Sequence, residues 1–225
     1  VSTHDESRPD GPVEAFAFPS TLSARVVDPS DAPRIHGYDV QTDLAGRYSL
    51  AELALLAATG ELPDRESGRA LEVALAFLSP SSVAEAPAHT AVLARLCGAT
   101  TAATLAAAAL TLAEQARELV STHLDWLAAP QAAASPGELP GVVRLRDALP
   151  PRFAALAGLT EAPSVEAAAL LVLRACGATT PEALESLVVW ARLPCAAAEA
   201  LAVRPASFRE YPMDVPRFEY ENTDE

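Results

Sequence analysis

From Ser49 onward, apolar runs alternate with residues that start and stop helices, and little of that stretch has the two-residue period of a strand. Ser49 with Glu52 three positions later forms a capping box. The helix it opens runs through Leu53, Leu55 and Leu56, and Gly60 stands where a left-handed C-cap is needed. Pro63 starts the next helix, which passes Leu71 and Phe77 and stops at Ser79-Pro80. The same reasoning predicts helices over 89–97, 101–127, 152–158, 164–176, 181–192 and 195–203. Arg-Leu-Cys-Gly-Ala-Thr-Thr from Arg95 recurs as Arg-Ala-Cys-Gly-Ala-Thr-Thr from Arg174. A C-cap glycine followed by an N-cap threonine explains both copies as one local solution used twice, in preference to an internal repeat. Before Ser49, an alternating stretch over Thr21–Val27 and a second over Arg34–Val40 predict a short β-hairpin. Residues 1–20 carry Asp5, Glu6, Asp10 and Glu14 among Ser, Pro and Gly and are expected to form a flexible acidic tail. Residues 128–151, rich in Pro, Gly and Ala, are expected to connect two helical parts of one domain spanning 21–225. The expected class is all-α with a short N-terminal β-hairpin.

Half of the 225 residues are apolar and a fifth charged, so the chain can bury a substantial core. Sixteen arginines against 30 acids give a formal charge of −14. Such a chain repels phosphate backbones and anionic lipid, so neither nucleic acid nor a membrane surface is an expected partner. Absence of lysine and abundance of alanine point to a very GC-rich genome and a bacterial setting. Three cysteines, Cys97, Cys176 and Cys195, form no close pair, so neither a disulfide framework nor a metal site is expected. No segment has the pattern of a secretion signal or a membrane span, and the expected location is cytoplasmic. The run Ala102, Ala103, Ala106–Ala109 lets another helix backbone approach closely, which suits a tight helix pair or a subunit interface. Genome composition alone explains the run equally well.

Three blocks in order, Arg34-Ile-His-Gly-Tyr-Asp-Val40, Asp43-Leu-Ala-Gly46 and Ala58-Thr-Gly-Glu-Leu-Pro63, resemble the N-terminal signature of the citrate synthase family. The resemblance extends through Thr90-Ala-Val-Leu-Ala-Arg95 and the alanine-rich helix to Leu124-Asp-Trp-Leu127, and covers roughly residues 34–220. It implies a citrate synthase-like helical fold and an acyltransferase ancestry. That family condenses acetyl-CoA with oxaloacetate. A thioester methyl is a weak acid, so the reaction needs a carboxylate base, one histidine to stabilise the enolate and another to polarise the ketone. Arginines hold the dicarboxylate through paired hydrogen bonds.

On this resemblance the two histidine positions hold Ala116 and Val143, the base position holds Glu166, and a further substrate-binding histidine position falls at Glu85. Glu166 keeps a carboxylate, but its extra methylene displaces it by about 1 Å, which can cost on the order of 10²-fold in rate. The cationic part survives better: Arg144, Arg152 and Arg192 match family arginines expected to bind substrate, and Val215-Pro-Arg217 through Tyr220 resembles the family's C-terminal Arg-Pro-Arg with its first arginine lost. His36 is expected as a turn or packing residue, His89 near a helix N-terminus, and His123 two turns beyond Ala116, too far to replace a histidine there. Cys195 is expected as a buried structural cysteine.

The reading favoured by these residues is a catalytically degenerate citrate synthase-like protein that serves in binding or assembly. Its expected partner is a second copy or an active citrate synthase-family subunit, and its expected ligand a di- or tricarboxylate. The alternatives are an acyl-CoA enzyme of the same family with a remodelled site, for which acetyl-CoA is a substrate-type ligand rather than a cofactor, and a small-carboxylate sensor or scaffold.

Overall fold

The computed structural model describes residues 23–129 and 139–205. Both the expected acidic tail and the Val215–Tyr220 element lie outside the described residues. Three two-residue strands, β1 (Val27–Asp28), β2 (Arg34–Ile35) and β3 (Tyr38–Asp39), form an antiparallel sheet in that order. The expected hairpin is thus present with a third short strand. Between β2 and β3, His36 and Gly37 both have positive φ, at 48° and 87°, as a two-residue turn matched to strand twist requires. His36 is therefore a turn residue. Its Nδ1 also lies 3.5 Å from where a Cβ on Gly60 would be, so the ring packs over the end of the first helix. A π-helical turn, Val40–Leu44, comes after β3, with Asp39 accepting the N–H groups of Gln41 and Thr42.

Eight helices are described: α1 (Leu50–Thr59), α2 (Arg65–Leu78), α3 (Ala86–Leu96), α4 (Thr101–Ala128), α5 (Pro140–Ala148), α6 (Pro151–Ala154), α7 (Val165–Ala175) and α8 (Pro181–Ala202). The Ser49–Glu52 capping box closes in both directions, at 3.3 and 2.6 Å, and Gly60 ends α1 in the left-handed region. Both copies of the repeated heptapeptide behave alike. Gly98 and Gly177 take positive φ after α3 and α7, and Thr100 and Thr180 cap α4 and α8 through the N–H of Ala103 and Ala183. The helices joined by the two turns pack differently. α3 folds back along α4, whereas α7 packs chiefly on α2 and barely meets α8. The heptapeptide is a shared turn and not a structural repeat.

Three expectations about helices need correction. The Pro/Gly/Ala-rich connection holds a helix, α5: Pro140 sits at its first turn, where no N–H is needed, and Val142 and Leu145 bury one face against the core. Helices expected over 181–192 and 195–203 are one helix, α8, running through Pro194. Pro194 and Trp190, whose carbonyl loses its donor, both lie on the exposed face, while Ala191, Arg192, Ala196 and Ala200 stay buried on either side of the break. Packing on that inner face outweighs the missing bond. The helix expected over 152–158 shortens to α6.

Two cores result. The larger one surrounds α7, which is buried without interruption from Ala167 to Leu173 and packs on α2, α5 and the C-terminal half of α4, while the first half of α8 joins the same core beside α1 and α2. A smaller one, Ala88, Ala91, Ala108, Leu112, Ala196 and Ala200, joins α3, the N-terminal half of α4 and the end of α8. Of the alanine-rich run only Ala108 is buried in this helix trio, while Ala102, Ala103 and Ala106 are exposed.

Candidate functional site

The residues singled out from the sequence fall into three places. At the C-terminal end of α2, Arg192 of α8 is buried, and its Nε donates to the carbonyl of Leu78 at 3.0 Å. Its Nη1 donates to Gln115 Oε1 at 2.9 Å and lies 3.3 Å from Glu85 Oε2. Gln115 Nε2 donates to the same Glu85 oxygen at 3.0 Å, and the Ser82 N–H donates to Glu85 Oε1 at 3.0 Å. Burial opposes charge on Glu85, but the Ser82 N–H, the Gln115 amide and the Arg192 guanidinium together hold its carboxyl below the ordinary glutamate range. Ala116, next to Gln115, is fully buried and supplies a methyl where the family implies an imidazole.

At the N-terminal end of α2, Arg152 of α6 donates from both terminal nitrogens to Asp64 Oδ2 at 3.2 Å and to Ser67 Oγ at 2.8 Å, with Glu66 3.9 Å away. Its guanidinium lies 4.8 Å from the centre of the Phe153 ring. Asp64 is also the α2 N-cap, and the Ser67 N–H is the chief reason its carboxyl lies below the ordinary aspartate range. Beneath this cluster the Cys176 thiol donates to the Ser67 carbonyl at 3.4 Å, and burial pushes its pKa up to about 12. Cys176 is therefore an inert packing thiol. Cys195, expected to be buried, is half-buried, and Cys97 is exposed.

The third place is the start of α7. Glu166, in its first turn, is half-buried. Its charge reaches His123 of α4, whose pKa is nevertheless pushed down because desolvation outweighs the pull of the carboxylate. On α5, Val143 is half-buried and Arg144 exposed. His89 is exposed in the first turns of α3.

Arg152 and Arg192 are not brought together. Their partners Ser67 and Leu78 stand eleven residues apart on one helix, about 17 Å at 1.5 Å per residue, more than a small dicarboxylate can bridge. What the fold does assemble is Glu85, Gln115 and Arg192. Gln115 was not singled out from the sequence, because nothing local distinguishes it from any other polar residue on a helix. Its one signal was its place beside Ala116. Among the described residues, no group of three or more His, Cys, Asp or Glu side chains can hold a metal ion. No described helix is long and apolar enough to cross a membrane.

No protein-family model matches the sequence, and no curated protein shows significant sequence similarity to it. Solved structures do match. The chain is similar to citryl-CoA lyase from Hydrogenobacter thermophilus, with a TM-score of 0.61 and 17% identity over 89% of this chain and 95% of that one. It is also similar to ATP citrate lyase from Methanothrix soehngenii, solved with citrate and coenzyme A, at a TM-score of 0.57 and 13% identity. For a mutant ATP citrate lyase from Methanosaeta concilii, solved with (3S)-citryl-CoA, the values are 0.62 and 14%. In both of these the match takes in 99% of this chain but 47% of the other, so the chain spans about half the length of the ATP citrate lyases. The fold is citrate synthase-like: helical, with a small antiparallel sheet.

Proposed function

We propose that the chain is a catalytically degenerate citrate synthase-like protein that acts as a binding or assembly subunit. One observation carries this reading: Arg192, the buried arginine that family resemblance would assign to substrate carboxylate, already has a carboxylate and an amide of its own chain on it. Chemistry of the family type also needs imidazoles, and the resemblance puts Ala116 and Val143 at the positions where they would stand. Arg152, tied to Asp64 and Ser67, is likewise occupied. The partner in this reading is a second copy or a citrate synthase-family subunit. A di- or tricarboxylate would reach the chain only through groups not already paired, or by displacing them.

A second reading, an acyl-CoA enzyme with a remodelled site, has its own support. The citryl-CoA lyase is matched over 95% of its length, so nearly all of that chain has a counterpart here. In that reading Glu166 would act as base with His123, whose neutral form is favoured by burial, as its neighbour. Release of oxaloacetate from citryl-CoA by lyase cleavage, and of free thiol from citryl-CoA by hydrolysis or from acetyl-CoA with oxaloacetate by condensation, separates the two on the purified chain and again with an added family subunit. No release by the chain alone is expected. Release that disappears in Glu166→Gln would establish the second reading.

A further inference from the structure

The side chain of Glu85 stands at the N-cap position of α3 yet makes no capping hydrogen bond to that helix. It turns instead toward Arg192, and each of its oxygens is taken: Oε1 by the Ser82 N–H, Oε2 by Gln115 Nε2 and Arg192 Nη1. A backbone N–H, an amide N–H and a guanidinium converging on one carboxylate are the donor set with which a protein grips a carboxylate ligand. The guanidinium and the amide are themselves fixed, Arg192 by the Leu78 carbonyl and Gln115 by Arg192, so the donors stay aimed without relying on Glu85. In the same loop Ser81 is buried, and its hydroxyl has no partner among the described residues. Glu85 itself is about a third exposed, so the carboxylate sits at the mouth of this donor set.

We propose that Arg192, Gln115 and the Ser82 N–H form a carboxylate-binding seat, and that Glu85 is its built-in occupant, an autoinhibitory contact that keeps external carboxylates out. The proposal rests on reading Arg192 as the surviving carboxylate-binding arginine. It specifies the ligand class, a small carboxylate, and the group such a ligand must displace. A seat vacated by Glu85 keeps a buried cation in need of an anion, so a free carboxylate entering it restores stability by mass action.

Thermal unfolding of the whole chain in sodium acetate, or in sodium citrate, against sodium chloride of equal ionic strength tests this. The wild type is expected to show no difference between the salts. Glu85→Ala is expected to melt lower in chloride and to regain about 3 °C in acetate at roughly ten times its dissociation constant. Glu85→Gln, which fills the seat with a neutral amide, is expected to fold and to ignore acetate, and so is the double variant Glu85→Ala/Arg192→Met. An equal melting temperature of Glu85→Ala in both salts would overturn the proposal, as would its failure to refold in acetate and chloride alike. Turnover by the wild type would instead overturn the degenerate reading and leave the seat standing on its acetate response.

Discussion

The two ends of α2 carry ion pairs of nearly equal length in different surroundings. Arg152 meets Asp64 at 3.2 Å with about half of each side chain in solvent, and Arg192 meets Glu85 at 3.3 Å with 9% of the arginine side chain exposed. At the open end, water screens the charges and holds each ion almost as well as its partner does, so such pairs are worth about 0–1 kcal/mol. At the closed end the arginine has left water, and every donor it keeps must have an acceptor. Geometry alone therefore does not rank the two arginines. Burial does, and it makes Arg192 the one whose partner has consequences for both folding and ligand binding.

The largest expected effect lies at the closed end. Arg192→Met takes the guanidinium from Glu85, which keeps only the Ser82 N–H and the Gln115 amide, and from Gln115 Oε1 and the Leu78 carbonyl, and breaking a partly buried pair from one side costs about 3–5 kcal/mol. Denaturant titration with an unchanged m-value should show that loss, and a loss below about 1 kcal/mol would place Arg192 in the same class as Arg152. Gly68→Ala comes next and probes the open end. Its Cβ would lie 2.2 Å from Glu52 Oε1, driving that carboxylate off the Ser49 N–H and opening the α1 capping box, for about 1 kcal/mol. Combining it with Glu52→Gln, which weakens the same bond, should give less than the sum of the two.

Smaller still, Arg152→Ala should cost about 1 kcal/mol or less, and 1 M salt should shrink the difference from wild type while leaving that of Arg192→Met largely intact. The smallest effect is on acid stability. The folded carboxyl of Glu85 lies below its ordinary value of 4.5. Its contribution is therefore complete above that pH and is lost as pH falls through the folded value. The stability gap between wild type and Glu85→Gln should close on acidification. A gap that widened would mean that the glutamate is held protonated.

Helix ends were legible in the sequence because their causes are local. Ser49 with Glu52, Gly60, Thr100 and Thr180 each act within four residues, and each is found in the expected role. α5 was obscured because Pro140 and Gly141 look like breakers, whereas the first sits harmlessly at a helix start and the second makes room for Val165, whose Cγ2 would lie 2.3 Å from an added Cβ. Pro194 misled for the converse reason: tertiary packing carried α8 past a true breaker. Arginine identities could be read by resemblance, but their partners could not. Glu85 and Arg192 are 107 positions apart, and Asp64 and Arg152 are 88. No local pattern encodes which distant carboxylate a given arginine will meet.

Citryl-CoA presented to the purified chain, with oxaloacetate and free thiol both measured over time, bears most directly on the claim that the family's chemistry has been lost. On the reading that Ala116 stands where the family has an imidazole, and with Arg192 paired to Glu85, the rate should equal that of buffer, and Glu166→Gln should leave it unchanged. Oxaloacetate release well above buffer that vanished in Glu166→Gln would contradict the account and make the chain a working lyase.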